Sequence, residues 1–320
     1  MQTPTLDCLC AGIVVADMVC QPIETIPPAG ALIKTDRIEF SIGGCSANMA
    51  VDMERLGLKI GLSGRVGQDL FGREIRDRLA AARVDTSRLE MSSTSPTSTT
   101  FVLNVKDQDR RFIHCVGANG EYDGREVTEA AIRNARSIFV GGYCLMESLT
   151  PERAIRLFEL ARDAGAMTAL NVVLPEGTKT IDWLPSVLPW TDYFFCNNDE
   201  AERITDQSDP LRQAEALRTM GAKTAIVTRG ECGAILIGPN DRLRVGVYSV
   251  KPMDGTGTGD AFASGILYGL LRGHSVAKAL TFGTAMGASC VRSMGATTGV
   301  FNAKELSEFV RDNQLAIESI

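Results

Sequence analysis

Apolar segments of strand length alternate with amphipathic helical stretches through most of the chain. The pattern predicts strands at 137–140, 167–173, 193–196, 224–228 and 234–237, with one helix beginning at Pro151 and another running through Ala201. Strands that alternate with helices in this way are typical of a mostly parallel sheet covered by helices on both faces. We therefore expect an α/β fold, with residues 1–320 forming a single domain.

Two segments, 14–38 and 98–114, depart from this alternation. Both carry short strand-like runs interrupted by polar residues, proline or glycine, and neither has a helical period. In the second segment, STTFVLNV is followed by the turn-rich KDQDR and then by RFIHCV, which predicts a β-hairpin. We interpret the two segments as a small β-sheet that closes over a pocket as a lid and excludes water. A surface hairpin without a role would give the same pattern.

A glycine-rich turn at 254–260 carries the strongest chemical signal in the sequence. Its glycines, at positions 255, 257 and 259, precede an apolar pattern that repeats every four residues and predicts a helix. Glycines let backbone N–H groups converge on an anion, and the following helix adds the positive end of its dipole. Thr256 and Thr258 add hydroxyl donors. Asp260 would repel a phosphate, but a kinase needs such a base beside the transferred phosphoryl group.

Three other types of turn would place different residues in or after this segment. A Walker-type loop requires a lysine, which the turn lacks. A dinucleotide-binding turn needs an acidic residue about 20 positions later, whereas no Asp or Glu occurs between Asp260 and Glu305. The alternative that stays open is a flexible turn before a helix that Asp260 caps, since aspartate is a favoured N-cap residue.

A second glycine turn lies near the start of the chain, in SIGGCSANMAVDMERL at 41–56. Gly43 and Gly44 allow a close approach to the backbone just before a predicted helix. Asn48 follows in the first turn of that helix, where its amide can both donate to and accept from a hydroxyl group. Asp17, at the end of the strand-like GIVVAD, is the natural acidic partner for binding a hydroxyl-rich ligand. A glycine bend with an exposed asparagine would produce the same residues.

Two further turns follow predicted strands later in the chain. CNNDE places Asn197 and Glu200 three residues apart at the start of a helix. Their oxygens suit Mg²⁺, which keeps several waters and contacts protein sparingly, but acidic residues also enrich first turns for helix stability alone. VTRGECG places Thr228, Gly230 and Gly233 directly after a strand. This segment forms either a compact turn that can approach a nucleotide or a simple hairpin bend.

Composition and charge argue against several classes of protein, including nucleic-acid-binding, membrane-spanning and secreted proteins. The net charge of −6 provides no basic surplus for nucleic acid, and no apolar run approaches the length of about 20 residues that spans a bilayer. The first residues lack the pattern of a secretion signal. The nine cysteines form no CxxC pair, and only two histidines are present. This usage indicates a reducing compartment, the cytoplasm, rather than disulfides or a zinc site.

The order and spacing of these turns resemble the ribokinase-like (PfkB) carbohydrate kinases over nearly the whole chain. The matching motifs are GGCSAN, GRVGQDLFG, GAN at 117–119, CNNDE, TRGECG and DGTGTGDAF. The last motif is quite specific, and the full set is much more so. The resemblance implies a large α/β domain with a small β lid, ATP as phosphoryl donor and Mg²⁺. It implies an ATP-dependent kinase that transfers the γ-phosphate to a sugar hydroxyl.

Matching positions carry the roles known in the family onto this chain. Asp260 resembles the catalytic base, and Gly257, Thr258 and Gly259 resemble the anion hole for the transferred phosphoryl group. The other implied roles are sugar contacts for Asp17, Gly43, Gly44 and Asn48, nucleotide contacts for Asn197, Thr228, Gly230, Gly233 and Thr256, and a contact of Glu200 with Mg²⁺ through water. Family members often hold a monovalent cation such as K⁺, which is implied here near Asp254, Thr256 and the loop at 293–299.

The chain also departs from the family pattern. Threonine is common in the family where this chain has Gly255, and ribokinase has asparagine and lysine where this chain has Val15 and Cys45. The last two differences lie in the implied sugar pocket, so the reaction type is implied but ribose as the acceptor is not. The loop SMGATTGV resembles a subgroup of sugar kinases whose substrates are poorly defined.

Alternatives within and outside the enzyme class remain. A nucleoside kinase would need an apolar clamp for the base, for which the lid offers Phe101, Phe112 and Tyr122. A phosphosugar or sugar-acid kinase is suggested by the basic lid residues Lys34, Arg37, Arg110 and Arg111, although these could form a solvated face. A non-catalytic sugar sensor is disfavoured by Asp260 and Glu200. The expected partners are a small-molecule sugar and ATP, with a homodimer formed through exposed lid strands.

Overall fold

The computed structural model describes residues 4–106, 108 and 110–320. The strands in these residues are β1 (Cys8–Gly12), β2 (Val15–Ile23), β3 (Ile38–Gly43), β4 (Ile60–Gly67), β5 (Asp85–Ser92), β6 (Thr99–Val105), β7 (Arg111–Cys115), β8 (Ser137–Gly141), β9 (Met167–Asn171), β10 (Tyr193–Asn197), β11 (Thr224–Thr228), β12 (Ala234–Ile237), β13 (Arg242–Val245) and β14 (Ile317–Ser319). The α-helices are α1 (Cys45–Arg55), α2 (Leu70–Ala81), α3 (Glu129–Arg133), α4 (Pro151–Asp163), α5 (Leu184–Val187), α6 (Asn198–Thr205), α7 (Pro210–Thr219), α8 (Thr258–Leu271), α9 (Val276–Cys290) and α10 (Ala303–Asp312).

The main sheet has the strand order β14-β13-β12-β11-β10-β9-β8-β1-β4-β5. The strands from β5 to β11 in this order pair in parallel, and β12, β13 and β14 add an antiparallel edge. Parallel strands end at the same edge of a sheet, and such an edge is where α/β proteins bind ligands. The loops after β1, β8, β9, β10 and β11 are therefore brought to one side.

Helices cover both faces of the main sheet, and its central strands β1 and β8 are accordingly buried at every position. Alternate side chains of β1 point to opposite faces: Leu9 and Ala11 join the core that also contains residues of α4 and α7. Cys8 and Cys10 join the core under α1 and α8. The predicted α/β fold, mostly parallel with helices on both faces, is confirmed.

The strands β3, β2, β6 and β7 pair in that order and form a second, smaller sheet. Strand β2 pairs antiparallel with β3 and parallel with β6, and β6 forms the predicted hairpin with β7. On its inner face, Val19 and Val102 pack on the buried Met294 of the main body. The strands extend beyond the predicted segment 14–38, because β3 begins at Ile38 and runs to Gly43.

Helix and strand limits differ from the sequence predictions by a few residues. The helix expected directly after Gly43 and Gly44 begins at Cys45, and Ser41, Ile42 and Gly43 pair with β2. Gly57, with a left-handed φ of 79°, follows the cap residue Leu56 and ends the first helix, as glycine does at this position. Over the described residues, no helix has both the length and the apolar character that a membrane crossing requires.

Candidate active site

Asp260 lies in the first turn of α8, which begins directly after the glycine-rich turn. The helix starts at Thr258, and Gly257 occupies the preceding cap position with a left-handed φ of 74°. Asp260 is therefore the third helical residue, and its side chain does not cap the helix. The capping interpretation of Asp260 is wrong, because the cap position is Gly257, three residues earlier. Its carboxyl group is instead directed toward other elements of the fold.

Gly257 fixes the position of the turn against the later loop at 293–299. A Cβ atom at this position would overlap the Cβ of Ala296 and would lie 2.6 Å from its Cα. Glycine is required both by this close approach and by the left-handed backbone. The turn and the loop are thereby held together at the start of α8, where N–H groups and the helix dipole favour an anion.

The Asp260 carboxyl group is buried and held by side chains from two other elements. Asn48 Nδ2 donates to Oδ2 at 2.8 Å, and Asn171 Nδ2 lies 3.3 Å from Oδ1. Burial raises the pKa of Asp260, while hydrogen bonds from Asn48, Cys45 and Asn171 oppose that rise. Asn171 is oriented in turn by the Gly142 N–H, which donates to its Oδ1 at 2.7 Å. The result is a positioned carboxylate whose ionised form is stabilised by donors.

Asp17 belongs to a polar row that crosses the inner face of the small sheet. Its neighbours on the adjoining strands are Ser41 and Thr100, and Thr100 is opposite His114. Thr100 Oγ1 lies 2.9 Å from His114 Nδ1. Burial raises the pKa of Asp17 to about 7; the Thr100 hydroxyl opposes the rise, and the charges of Asp260 and Asp254 add to it. Asp17 and Asp260 are therefore close enough to interact.

Gly43 and Gly44 make room for this arrangement. A Cβ atom on Gly43 would overlap the carboxyl group of Asp17, and Gly44 precedes α1 with φ of 87°. Asn48 Oδ1 is buried and accepts no hydrogen bond from any residue that the structure describes. Leaving a buried amide oxygen without a hydrogen-bond donor costs free energy. A ligand hydroxyl between Asp17, Asn48 and Asp260 would supply one.

Asn197 and Glu200 form a reciprocal cap at the start of α6. The Glu200 N–H donates to Asn197 Oδ1 at 2.8 Å, and the Asn197 N–H donates to Glu200 Oε2 at 2.9 Å. The capping interpretation is thus confirmed, and it does not exclude a second role. Burial raises the pKa of Glu200 to about 7; the Asn197 N–H opposes the rise and the charge of Asp260 adds to it.

The turn after β11 lies beside this cap, because Asn197 and Thr228 are paired neighbours at the ends of β10 and β11. Gly230 and Gly233 both have positive φ, and the Arg229 N–H donates to the Gly233 carbonyl at 2.7 Å. Among hydrogen bonds between described residues, none joins this turn to Asp260. The structure thus brings the turn next to Asn197 rather than into the Asp260 cluster.

Asp254 ties the glycine-rich turn to the loop at 293–299. One carboxyl oxygen accepts from the Thr256 N–H and hydroxyl at 3.0 and 2.7 Å, and the other accepts from the Gly295 N–H at 2.9 Å. The carbonyl oxygens of Thr256 and Ala296 converge on the Cys290 thiol, at 3.3 and 3.2 Å. Asp254 and Thr256 therefore lie beside this loop.

The donor set fits a sparingly held Mg²⁺ better than a protein-built metal cage. No group of three or more His, Cys, Asp or Glu side chains in the described residues is arranged to hold a metal. The negative charge of Asp260 contributes to the raised pKa of Glu200, which a bound cation would offset. Mg²⁺ is typically bound by one or two carboxylates, water and substrate phosphates. Glu200 and Asn197 are the residues that would face such an ion.

Several residues of the cluster were not found from the sequence. Asn171 is the last residue of β9, and a polar residue at the end of a buried strand is a usable signal for this edge of the sheet. Thr100 could have been found from the alternation of the hairpin, which puts it on the same face as Val102. His114 becomes visible only once its strand partner is known.

Asp52 is a buried carboxyl group that lies outside this cluster but close to it. Neither of its oxygens accepts a hydrogen bond from a described residue, and the side chain is fully buried in α1. Burial raises its pKa well above the usual value, and the charge of Asp260 adds to the rise. The ionised form of Asp52 is therefore less favourable in the folded chain than in the unfolded chain.

We expect Asp52→Asn to stabilise the protein increasingly as pH rises. The folded pKa exceeds the unfolded one, so the wild type loses about 1.4 kcal/mol of unfolding free energy per pH unit between about pH 4 and the folded pKa. The variant lacks this loss. Urea unfolding from pH 5 to pH 8 measures it, with Asp163→Asn at an exposed site as control. A difference that stays constant with pH would contradict the assignment.

Fold and site together define a phosphotransferase of the ribokinase-like class, with a buried carboxylate beside an anion-binding turn. The pfkB family carbohydrate kinase model matches residues 5–303, and the chain belongs to this family. It is 26% identical over 288 residues to 5-dehydro-2-deoxygluconokinase of Clostridium botulinum, covering 85% of each chain. It is 26% identical to ribokinase of Haemophilus influenzae, covering 93% of this chain and 96% of the other.

A solved structure shares the fold. A provisionally assigned ribokinase II from E. coli, in complex with ATP and Mg²⁺, superimposes with a TM-score of 0.83 at 23% identity. The alignment covers 96% of this chain and 100% of that one. At this identity the comparison establishes the common fold.

Proposed function

We propose that the chain transfers the γ-phosphate of ATP to a hydroxyl group of a sugar or sugar acid, with Asp260 as the general base. The observation that carries the proposal is the Asp260 carboxylate, held by Asn48 and Asn171 in the first turn of α8. A carboxylate next to an anion-binding turn is what direct transfer to an alcohol needs, because one group accepts the proton while the other receives the phosphoryl charge.

In this mechanism the acceptor hydroxyl gives its proton to Asp260, its oxygen bonds to the γ-phosphorus, and ADP leaves on the opposite side. The backbone N–H groups of Gly257, Thr258 and Gly259 stabilise the charge on the transferred oxygens. Asn48 and Asp17 hold the acceptor through its hydroxyl groups, with Gly43 and Gly44 leaving space for it. The small sheet excludes water from the site.

The nucleotide is assigned to the edge formed by Asn197, Thr228, Gly230, Gly233 and Thr256. Support comes from the adjacency of Asn197 and Thr228 at the ends of β10 and β11. Mg²⁺, when bound near Glu200, neutralises phosphate charge. A monovalent cation such as K⁺ is proposed near Asp254 and Thr256, where the carbonyls of Thr256 and Ala296 converge.

Residues 1–320 are proposed to act as one domain, with the small sheet (14–38 and 98–114, extended to the strand limits above) as its lid. Packing of Val19 and Val102 on Met294 supports a closing contact. Phe101 and Ile113 are opposite each other and 52% and 63% exposed, which favours a homodimer through the lid. Light scattering in solution gives the mass that decides it. A cytoplasmic location is supported by the free cysteines.

A sugar acid is the favoured alternative to a neutral sugar, because 5-dehydro-2-deoxygluconokinase is among the similar proteins. A nucleoside kinase has less support. Tyr122 is fully buried and its hydroxyl contacts Ser63 at 3.0 Å, while Phe101 is on the outer face of the lid. Phe112 alone of the three proposed clamp residues shares the face of Thr100 and Asp17.

A phosphorylation screen with Mg-ATP over aldoses, ketoses, sugar acids and nucleosides tests this function. We expect ADP release that depends on a sugar or sugar acid, and a product that mass spectrometry identifies as its monophosphate. ATP turnover with nucleosides alone would favour the nucleoside kinase. Absence of turnover with the full panel, in protein that binds ATP, would contradict the proposal.

Replacing Asn48 by alanine should shift the pH dependence of the reaction. The Asn48 amide favours the ionised form of Asp260, so its loss raises the pKa of the base further. Because only the ionised carboxylate accepts a proton, the acidic limb of kcat/KM moves to higher pH. Profiles from pH 5 to pH 9 measure the midpoint. A lower profile with an unchanged midpoint would show that Asn48 acts only in acceptor binding.

A further inference from the structure

Arg110 reaches from the hairpin of the small sheet onto the glycine-rich turn. Thr100, Val102, Phe112 and His114 share the inner face, since Val102 is opposite Phe112 and Thr100 is opposite His114. Arg110 is two residues before Phe112, and its guanidinium carbon lies 5.7 Å from the centre of that ring. Side chains two apart on a strand share a face. Arg110 directly precedes β7 and is half-buried, and its closeness to Gly255 puts its side chain on this inner side.

The contact with the turn is made at Gly255. A Cβ atom built on Gly255 would lie 2.6 Å from Arg110 Nη1 and 3.2 Å from its Cζ. Any larger side chain at position 255 would displace the guanidinium group. The threonine that is common at this position in the family would therefore exclude the arginine from its present place. Gly255 and Arg110 fit each other, and Gly255 is only two residues before the proposed anion hole.

The site next to the glycine-rich turn holds several carboxyl groups whose charges affect one another, so an anionic substrate that enters it meets negative charge. The charges of Asp260 and Asp254 raise the pKa of Asp17, and the charge of Asp260 raises that of Glu200. At position 45, where ribokinase carries a lysine, this chain has the thiol of Cys45. A positive charge supplied from the lid offsets anionic groups that enter such a site.

We propose that Arg110 is an anion-binding residue of the active site, which takes an oxyanion of a bound substrate when the lid is closed. Two substrates can supply that oxyanion: a sugar-acid acceptor through its carboxylate, and ATP through its γ-phosphate. Arginine suits both, because its planar donors bind carboxylate and phosphate in a bidentate manner. The inference rests on the proposed kinase activity for its substrates, while the pairing of Arg110 with Gly255 does not depend on it.

Arg110→Ala and Arg111→Ala form a matched pair for the test. Arg111 is exposed, and its guanidinium donates to Gln108 Oε1 at 2.7 Å. The kinetics are measured with D-gluconate and 5-dehydro-2-deoxygluconate as acids and with D-fructose and D-ribose as neutral sugars. We expect Arg110→Ala to lose about 10- to 100-fold in kcat/KM, the effect of one charged hydrogen bond, and Arg111→Ala to stay within about twofold.

The two sources of the oxyanion give different patterns. A loss confined to the acids, with neutral sugars unaffected, assigns the carboxylate. An equal loss with all acceptors, together with a higher KM for ATP, assigns the γ-phosphate. Arg110→Ala kinetics that match those of Arg111→Ala on every acceptor would overturn the proposal. Arg110→Lys should restore part of the loss, since it keeps the charge and loses the bidentate geometry.

A binding measurement separates failure of this inference from failure of the kinase assignment. If the wild type phosphorylates none of the acceptors, the rise in Tm produced by Mg-ATP and by each acid is compared for the wild type and Arg110→Ala. A smaller rise in the variant supports anion binding without turnover, and equal rises with every ligand overturn it.

Gly255→Ala gives an independent test through a double-mutant cycle. The new methyl group displaces Arg110, so the single variant should reproduce the loss seen in Arg110→Ala. In the Arg110→Ala background the same change should add little, because the two positions act on one interaction. The same cost in both backgrounds would show that the effect of Gly255→Ala does not pass through Arg110.

Discussion

Asp260→Asn is expected to lower kcat by about 10²- to 10⁴-fold, the usual contribution of a general base. Asparagine has nearly the same shape and keeps an oxygen that can accept from Asn48, but it cannot take the proton of the acceptor hydroxyl. Affinity for Mg-ATP should change much less, since the base acts in the transition state rather than in nucleotide binding. Steady-state kinetics and calorimetric titration of Mg-ATP measure the two quantities.

The folded state provides the control for this variant. Burial raises the pKa of Asp260, so the charged form is costly in the fold, and the neutral amide should leave Tm equal to or above that of the wild type at pH 8. Loss of activity with a retained Tm then reports chemistry rather than unfolding. Turnover within about fivefold of the wild type would remove Asp260 from the role of base.

Gly257→Ala should be almost as damaging to turnover, for a different reason. The left-handed backbone and the overlap with Ala296 force the turn to shift against the loop at 293–299. Misplacing one donor of an oxyanion site typically lowers kcat by about 10²- to 10³-fold. We expect a loss of that size, measured as kcat at saturating acceptor and Mg-ATP.

Gly273→Ala is the matched control at the other end of the same helix. Gly273 has φ of 77°, close to that of Gly257, but nothing lies within 4 Å of its built Cβ. It should therefore lose about 1–2 kcal/mol of stability from backbone strain and keep its turnover. If Gly257→Ala behaves in the same way, the close packing of the turn on Ala296 has no part in phosphoryl transfer.

The main sheet and its turns could be predicted from the sequence because they are local in pattern. The strand and helix periods predict a sheet with helices on both faces. An aspartate that follows three glycines is chemically unusual, and this predicted the position of the candidate active site. The capping of α8 by Asp260 could not be judged in this way, since the start of a helix depends on backbone angles. Gly257, not Asp260, occupies the cap position.

The sequence could not predict which side chains from distant parts of the chain contact each other in the site. Asn171 is 89 residues from Asp260 along the chain, and only the neighbouring positions of their elements bring the two side chains together. The fit of Arg110 to Gly255 is a second case. Sequence comparison marks Gly255 as a missing threonine, whereas the structure shows that the space is taken by an arginine from another sheet. The roles assigned to the turn after β11 stay predictions.

The residues of the proposed acceptor site come from two separate parts of the fold. Asp17 and Thr100 come from the small sheet, whereas Asp260 and Asn171 belong to the main body. Under the proposed mechanism, mutations in the small sheet away from Asp17 and Arg110 should change which alcohol is accepted more than they change proton removal by Asp260. Evolutionary divergence of specificity, or its redesign in the laboratory, should concentrate in β2, β6 and β7 while the α8 turn stays constant.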